Sequence, residues 1–416
     1  MDNITHSLIG LAAGQFATRL RARHDPVGAE KNRLASWLVS AVANNIPDLD
    51  FLLTPLTGGI LGYLLQHRGY THTLLLAPVQ SFFILMLAWL WARRSKIKWS
   101  AGDRNWLIGL ALLGPVLHIA FDALNSYGVH PLWPFNDRWF YGDTLFILEP
   151  AIWVTLTPLL IRESNSRSGK TLFAALLALG LGACIFTGFV PWQLTLTLIA
   201  ASAWLLGLMF KLKAGARATA AILACTMLVA LFATASARAR TDVMELVLKE
   251  FPGTRLHDIA LTPYPANPLC WSLWTIESQR GWYFARHGIY AAAPNMLGAS
   301  ECPEFRTSPG TTFPLVPVPG PSRPELLWSV QFQAPLGELQ RLAKDSCQTA
   351  ALLRFARVPA WTKVAEGKTT IGDLRFDRGP GKGFARVTVP TKGADENCPA
   401  HVPSWDEPRR DLFIGD

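Results

Sequence analysis

Long apolar runs separated by short polar stretches fill the first part of this 416-residue chain. Six runs have the roughly 17–21 residues that a helix needs to cross a bilayer, and two weaker runs precede them. In chain order, all of them cover residues 4–20, 34–50, 72–92, 105–124, 145–161, 172–190, 193–210 and 219–237. This pattern predicts an α-helical integral membrane domain of about eight segments over residues 1–240. Residues 51–66 are apolar but broken by Gly and Pro, so we expect them to lie at the interface or to dip in and return.

Basic residues lie in short clusters between the apolar runs, at 19–23, 93–98, 162–170 and 211–217. The formal net charge of +9 therefore indicates cytoplasmic loops, and we expect no nucleic-acid partner. With every cluster placed inside, residue 1 starts outside and the chain after residue 237 emerges outside. We predict a multi-pass protein of a bacterial-type inner (cytoplasmic) membrane, with the lipid bilayer as a partner.

From residue 241 onward the chain has many Pro and Gly residues and no long apolar run. Alternating aromatic, β-branched and polar residues predict strands at 270–277, 282–290, 326–332, 352–358, 369–376 and 384–389, with a helix near 336–347. We therefore predict a soluble α+β extracytoplasmic (periplasmic) domain over residues 241–416. Its four cysteines predict two disulfides in an oxidising compartment, with all three connectivities open. These cysteines are Cys270, Cys302, Cys347 and Cys398.

Residues that can bind metal lie at the predicted outer ends of four segments. They are His6, Asp48, Asp50, His67, His72, His118 and Asp122. His118 and Asp122 are four residues apart, so they share one face of a helix. Asp48 and Asp50 follow Pro47 and point to the same side of an extended chain. This convergence predicts one divalent metal ion, or two that are about 3.5–4 Å apart, with zinc first and iron or manganese next.

Some of these residues also have structural interpretations. His6 could be a helix-end residue, and the two aspartates after Pro47 could form a turn. His118 and Asp122 are harder to explain structurally, because ionisable groups within a membrane segment are costly and usually functional.

Further polar residues could take part in catalysis or line the pocket. Asp50 is the predicted general base, which would take a proton from water. Arg68 and Arg138 could meet an anionic substrate or lipid headgroups. Glu149 could donate a proton, or could cap the fifth segment before Pro150. The predicted pocket-lining residues are Asn125, Tyr127 and His130.

At these motifs the sequence resembles the YdjM-type family of predicted inner-membrane metal-dependent hydrolases. The resemblance rests on D-N-I-T-H-S, N-I-P-D-L-D, H-R-G-Y-T-H-T and H-I-A-F-D-A-L-N-S-Y-G-V, in this order within residues 1–150. The family has been likened to zinc-dependent phospholipases, so the resemblance implies a hydrolase acting on lipid-like or phosphate-ester substrates. Carried over by motif, the implied metal ligands are His6, Asp48, His67, His72, His118 and Asp122.

Three functions are compatible with the sequence. The first is a membrane-embedded metal-dependent hydrolase that acts through metal-activated water. The second is a metal or small-solute transporter, although transport sites typically lie near the bilayer midplane rather than at one end of the helices. The third is a non-catalytic membrane scaffold, which would leave the buried His and Asp residues unexplained. The sequence leaves the oligomeric state open.

Overall fold

The computed structural model describes residues 1–57, 59–303, 312–320, 322–364, 367–377, 379, 383–391 and 398–413. Its N-terminal region is helical and its C-terminal region is built mainly of β-sheet. The helices of the first region are α1 (Asn3–Arg21), α2 (Pro26–Lys31), α3 (Arg33–Ala43), α4 (Gly59–Gln66), α5 (Ala77–Arg94), α6 (Ala101–Asp122), α7 (Pro150–Glu163), α8 (Arg167–Phe186), α9 (Trp192–Lys211) and α10 (Ala214–Glu250). Two 3-10 helices, Ile46–Leu56 and Tyr70–His72, lie between α3 and α5.

Small residues allow α1 and α3 to pack closely. A Cβ at Gly10 would lie 2.7 Å from the carbonyl oxygen of Ser40, and one at Gly14 would lie 2.7 Å from that of Ser36. The four-residue spacing of the two glycines places both contacts on one face of α1, as is common where membrane helices approach closely. The start of α1 therefore lies beside the end of α3, which is the end that leads to Asp48.

Within the described residues, four helices are long and apolar enough to cross a membrane: α6, α8, α9 and α10. A fifth candidate is the pair Gly59–His72 and Ala77–Arg94, bent by 78° at its break. The remaining predicted segments correspond to α1, to α3 with 11 residues, and to α7 with 14 residues. A helix of 11 residues rises only about 16 Å, roughly half of the hydrocarbon thickness. The structure thus gives four or five spans, and eight remains a prediction.

The last of these helices, α10, has 37 residues and passes without a break through residue 240, where we predicted a domain boundary. The first strand begins at Arg255. Val243 and Val247 at the end of α10 are fully buried, in the same hydrophobic core as Ile259 and Leu261 of that strand. The helix therefore joins the two regions and packs against the second.

In its described residues, the C-terminal region has two antiparallel sheets and two short α-helices. Its elements are β1 (Arg255–Tyr264), β2 (Asn267–Gln279), β3 (Trp282–Ala291), β4 (Val316–Pro317), β5 (Leu326–Pro335), α11 (Leu336–Asp345), α12 (Cys347–Leu353), β6 (Pro359–Val364), β7 (Lys368–Asp373) and β8 (Arg386–Pro390). The strand orders are β1-β2-β3-β5-β4 and β6-β7-β8. Disulfides join Cys270 to Cys302 and Cys347 to Cys398, which confirms the predicted number and selects one of the three connectivities.

Several strand predictions agree with the structure and one is wrong. The residues predicted as a strand at 352–358 instead end α12 and enter a turn, and the strand begins at Pro359. Leu352, Leu353 and Val358 are all buried, so this segment lacks the alternating exposure of a half-buried strand. A short apolar run does not distinguish a buried helix end from a buried strand.

Buried ion pairs connect the two regions. Arg357, just before β6, donates to both carboxylate oxygens of Asp143 at 2.7 and 2.8 Å, and to Asp258 of β1 at 2.7 Å. Arg357 and Asp143 are at most 2% exposed. Burial acts to lower the pKa of Arg357, but the charges of Asp143 and Asp258 outweigh it and raise the pKa. The guanidinium is therefore fixed in its charged form between the regions.

Candidate metal centre

Separate elements bring the predicted ligands to one place. They are α1 with His6, the 3-10 helix Ile46–Leu56 with Asp48 and Asp50, the segment between α4 and α5 with His67 and His72, and α6 with His118 and Asp122. Pro47 stands in the first turn of its 3-10 helix, where the absent N–H of proline costs no hydrogen bond. All of these residues therefore come from the ends of helices rather than from their middles.

Gly114 allows α6 to approach the end of α3. A Cβ at this position would lie 2.3 Å from Cβ of Ala43 and 2.9 Å from the backbone nitrogen of Asn44. The contact places the carbonyl of Asn44 2.8 Å from Nδ1 of His118, and the Asn44 side chain donates to the carbonyl of His6 at 2.5 Å. Asn44 thus connects three helices beneath the site, a role that the sequence analysis missed.

Four residues, Asp48, His72, His118 and Asp122, form a buried group that we call the four-residue cluster. One ligand atom from each lies within 4.8 Å of all the others. Nε2 of His72 lies 3.0 Å from Nε2 of His118 and 3.4 and 3.2 Å from the two carboxylates. Nε2 of His118 lies 3.5 Å from each carboxylate. Tetrahedral ligands at 2.0–2.2 Å from zinc are roughly 3.3–3.6 Å apart, so the cluster has nearly the size of such a site.

Hydrogen bonds on the outer side of each imidazole determine which nitrogen faces the cluster. Nδ1 of His118 carries the proton, because it faces the Asn44 carbonyl. The Thr71 hydroxyl donates to Asp50 at 2.9 Å, so it accepts from Nδ1 of His72 at 3.0 Å. Both Nε2 atoms consequently direct lone pairs at the carboxylates. Such an arrangement is repulsive unless a cation lies among the four groups.

The surroundings of Asp122 fit a metal ligand. Its Oδ2 is buried and accepts no hydrogen bond from the described residues, although Nε of Arg68 lies 3.0 Å away. Its Oδ1 lies 3.2 Å from Nε2 of His6 and pairs with the amino group of Met1. The residues present thus fit a divalent metal through two imidazoles and two carboxylates, a donor set suited to zinc and also to iron or manganese.

Two predicted ligands, His6 and His67, lie outside the four-residue cluster. The His6 ring stacks on that of His118, with centroids 3.8 Å apart, and its Nδ1 has no hydrogen-bond partner within the described part of the chain. The His67 ring lies 6.0 Å from that of His72 and stacks on Tyr63 at 4.9 Å. Both imidazoles therefore border the cluster without forming part of it.

Asp50 is turned toward the segment that carries the histidines. Its Oδ1 lies 2.8 Å from Nδ1 of His67, and its Oδ2 accepts from the backbone N–H of Arg68 at 3.1 Å and from Thr71. Its contact with His72 is to the outer nitrogen, at 3.6 Å. Asp50 therefore orients His67 and the segment around it, and does not itself face the cluster.

Arg68 lies beside the cluster in a strained backbone conformation. Its φ of 58° is in the left-handed region, which side chains other than glycine rarely adopt. Its guanidinium is buried, donates to Oδ1 of Asn125 at 2.9 Å and lies 4.8 Å from the centre of the Tyr127 ring. The structure thus places Arg68, Asn125 and Tyr127 together on one side of Asp122.

The other accessory residues lie elsewhere. Glu149 is the N-cap of α7: its carboxylate accepts from the backbone of Ala151 at 3.1 Å and from that of Ala266, after β1, at 2.8 Å. Glu149 therefore caps a helix and contacts the C-terminal region rather than the cluster. Arg138 lines a different cleft, near the C-terminal region.

Aromatic residues of the C-terminal region cover the segment around the cluster. Trp405 is fully buried, donates to the carbonyl of Leu65 at 3.0 Å, and stacks on His130 with centroids 4.1 Å apart. Its ring also contacts Tyr70 at 4.9 Å. These contacts join residues about three hundred positions apart, and no local pattern in the sequence predicts them.

The comparisons with known proteins concern the helical region. Residues 1–189 match the family model described as YdjM inner membrane protein, and this segment includes all six predicted metal ligands. No curated protein and no solved structure matches the chain. Over residues 1–189, slightly less than half of its length, the chain is similar to the YdjM inner membrane protein family.

Proposed function

We propose that this protein is a membrane-embedded, metal-dependent hydrolase that cleaves a phospholipid-like or other phosphate-ester or ester substrate. One observation carries the proposal: two imidazole lone pairs and two buried carboxylates converge at the spacing of metal ligands. Asp48, His72, His118 and Asp122 would hold the ion. A divalent metal supplies Lewis-acid polarisation of the scissile bond and makes hydroxide available near neutral pH.

His67, rather than Asp50, is the better candidate for moving a proton. The carboxylate of Asp50 accepts from Nδ1 of His67, which leaves the Nε2 lone pair as the base. The His67 side chain is 15% exposed, so it has access to water that the fully buried cluster imidazoles lack. Asp50 then acts as the positioning residue for this imidazole.

Arg68 would support the site through charge. Its side chain is held by Asn125 and Asp122, so it is not free to follow a substrate. A fixed guanidinium beside the cluster favours negative charge that develops as the ester is cleaved.

Exposed apolar residues near the cluster support a lipid-like substrate. In the 3-10 helix that carries Asp48, the neighbouring Leu49, Phe51, Leu52 and Leu56 are 49–80% exposed. Side chains of this kind are expected at a surface that contacts lipid. A substrate in the bilayer would then reach the cluster with its headgroup while its chains stay in the membrane.

The topology proposed with this function has eight crossings and an extracytoplasmic C-terminal domain in a bacterial-type inner membrane. Basic residues lie at the ends of α1 and α5 that are distant from the cluster, as Arg19, Arg21, Arg93 and Arg94. The positive-inside rule puts those ends in the cytoplasm and the cluster at the external face. Two disulfides in the C-terminal domain favour the same orientation.

The full chain purified in detergent provides the test. Bound metal is measured by mass spectrometry, and hydrolysis is measured with glycerophospholipids and with a generic phosphodiester. We expect His118→Ala and Asp122→Ala to lose both metal and hydrolysis. Asp50→Asn should keep the metal but lose roughly 10²-fold or more in kcat, because the imidazole it orients would no longer act as a base.

A control variant is His24→Ala, which removes an exposed imidazole outside the site and should change neither measurement. Wild-type protein that binds metal but hydrolyses neither substrate would contradict the proposal. Metal-dependent solute uptake into vesicles would then favour the transporter.

A further inference from the structure

A second set of chemically interesting residues lies in the C-terminal region, on the edge strand β1. The pairing of β1 with β2 passes from Leu256 opposite Glu277 to Asp258 opposite Ile276. His257 is therefore the extra residue of a β-bulge. Such bulges redirect a side chain out of the regular alternation of a strand. This irregularity turns the imidazole toward Ser278 on β2 and toward Asp411 in the last 3-10 helix, Arg410–Leu412.

The three side chains form a continuous chain of hydrogen bonds. Nδ1 of His257 lies 2.6 Å from Oδ2 of Asp411, and Nε2 lies 2.8 Å from Oγ of Ser278. A carboxylate can only accept, so the imidazole proton is on Nδ1. Nε2 must then accept from the serine hydroxyl. This is the donor order by which a histidine prepares a serine for nucleophilic attack.

The carboxylate is ionised. Burial acts to raise the pKa of Asp411, but the hydrogen bond from His257 and the charge of Arg409 outweigh it and lower the pKa. The imidazole itself is 3% exposed, whereas Asp411 is 35% exposed and Ser278 is half-buried. A protected histidine between two groups that reach the surface suits reaction with a molecule from solution.

An adjacent Ser–His contact lacks the carboxylate. Nε2 of His287 lies 3.0 Å from Oγ of Ser272, but its Nδ1 faces Oγ of Ser329 at 2.6 Å. Burial lowers the pKa of His287 to about 4, so it is neutral and a poor base near neutral pH. Ser272 and His287 thus provide an internal comparison, in which the hydroxyl of Ser329 takes the place of the carboxylate.

A cleft of about 800 Å³ adjoins Asp411, the carboxylate end of the hydrogen bonds that join Ser278, His257 and Asp411. Asp411 lines it, together with Arg409, whose Nε lies 3.7 Å from Oδ1 of Asp411. The cleft offers space for a small molecule beside the Asp411 carboxylate.

We propose that Ser278, His257 and Asp411 form a second reactive centre, in which Ser278 is an activated nucleophile toward acyl esters. The Ser278 hydroxyl gives its proton to Nε2 of His257 as its oxygen bonds to the ester carbonyl carbon. The alkoxy group leaves with that proton as an alcohol. Water then gives a proton to the same nitrogen, its oxygen bonds to the acyl carbon, and the carboxylic acid leaves as Ser278 regains its proton. No metal enters these steps.

The test is covalent labelling of the full detergent-solubilised protein with a fluorophosphonate. The oxygen of an activated serine bonds to phosphorus, and fluoride leaves with the proton. Peptide mass spectrometry should find the label on Ser278 and not on Ser272. Labelling should be abolished in Ser278→Ala and should continue in the presence of a chelator, so its outcome is independent of the proposed metal hydrolase.

Asp411→Asn separates activation from mere exposure of the serine. An amide at this position favours the wrong imidazole tautomer, and we expect labelling to slow by at least about tenfold. Because Asp411 is partly exposed, this variant should fold, and the two disulfides provide a check by mass under non-reducing conditions. Wild-type protein without label on Ser278, equal labelling of Ser272, or an unchanged rate in Asp411→Asn would each overturn the proposal.

Discussion

Buried charges are arranged differently at two places in this protein, the contact between its two regions and the four-residue cluster of the helical region. Between the regions, Arg357 lies among Asp143 and Asp258, and every charge there faces an opposite one at hydrogen-bond distance. In the four-residue cluster, two carboxylates face two imidazole lone pairs. Within the described residues, the Asp48 carboxylate contacts the imidazoles of His72 and His118 and no arginine or lysine.

The difference distinguishes a structural network from a group of residues that could hold a metal ion. Burial of a charge is costly unless an opposite charge and hydrogen bonds compensate for it. The network around Arg357 meets that condition with the chain's own groups. The four-residue cluster does not fully meet it, because its imidazoles are neutral at the nitrogens that face the carboxylates. Metal should therefore stabilise the folded protein through the four-residue cluster. The contribution of the Arg357 network to stability should not depend on metal.

Loss of the Arg357 side chain should have the largest effect. Among the residues that the structure describes, Arg357→Met leaves the buried Asp143 with only Arg240, at 2.6 Å, as a compensating charge. We expect a loss of about 3–5 kcal/mol in the free energy of unfolding, the usual cost of breaking a buried ion pair. Denaturant unfolding in detergent measures this change, which should be the same with and without chelator.

The control for this variant is Arg238→Met. Arg238 is 68% exposed and contacts Asp242 at 3.5 Å, so its removal should cost at most about 1 kcal/mol. Equal effects of the two substitutions would mean that burial and pairing do not distinguish these arginines.

Removal of metal should have the next largest effect. A ligand that binds only the folded protein, at a hundred times its Kd, stabilises it by about 2.7 kcal/mol. We expect a chelator to lower the Tm of the wild-type protein and to leave that of His118→Ala unchanged. A wild-type Tm that does not respond to chelator or to added zinc would contradict this. It would show that the chain's own groups compensate the buried charges of the four-residue cluster as fully as they do around Arg357.

All four residues of the four-residue cluster were among the predicted metal ligands, but the contacts of their neighbours were not predicted. His118 and Asp122 could be paired because a helix repeats every 3.6 residues, so four positions of spacing give a shared face. The contact between Asp50 and His67 could not be predicted in this way. It depends on how the segment after α4 folds back on the 3-10 helix, which places Nδ1 of His67 beside Asp50.

Long-range contacts explain the other differences between the structure and the predictions from the sequence. The bulge that turns His257 toward Asp411 involves residues 154 positions apart, and neither residue belongs to a recognisable motif. Short apolar segments were ambiguous for the same reason: at 352–358, packing against a partner rather than local preference decides the structure. In contrast, the two disulfides were predictable in number, because only the count of the cysteines and an expected oxidising environment were needed.

The smallest predicted effect tests whether the two regions are coupled. Trp405→Phe keeps most of the ring that stacks on His130 but removes the hydrogen bond to the carbonyl of Leu65. We expect a loss of about 1 kcal/mol in the free energy of unfolding, because a buried carbonyl loses its donor. Metal affinity should also fall, by less than tenfold, since Leu65 is in α4, just before the segment that carries His72.

A matched control is Trp204→Phe in α9, where the indole is 66% exposed and its replacement should change neither quantity. If Trp405→Phe lowers stability and leaves metal affinity unchanged, the C-terminal region covers the cluster without restraining it. The Arg357 network would then stabilise the contact between the regions, and the four-residue cluster would bind metal independently of that contact. If both quantities fall together, the hydrogen bond from the Trp405 indole to Leu65 helps to hold the segment that carries His72 in place.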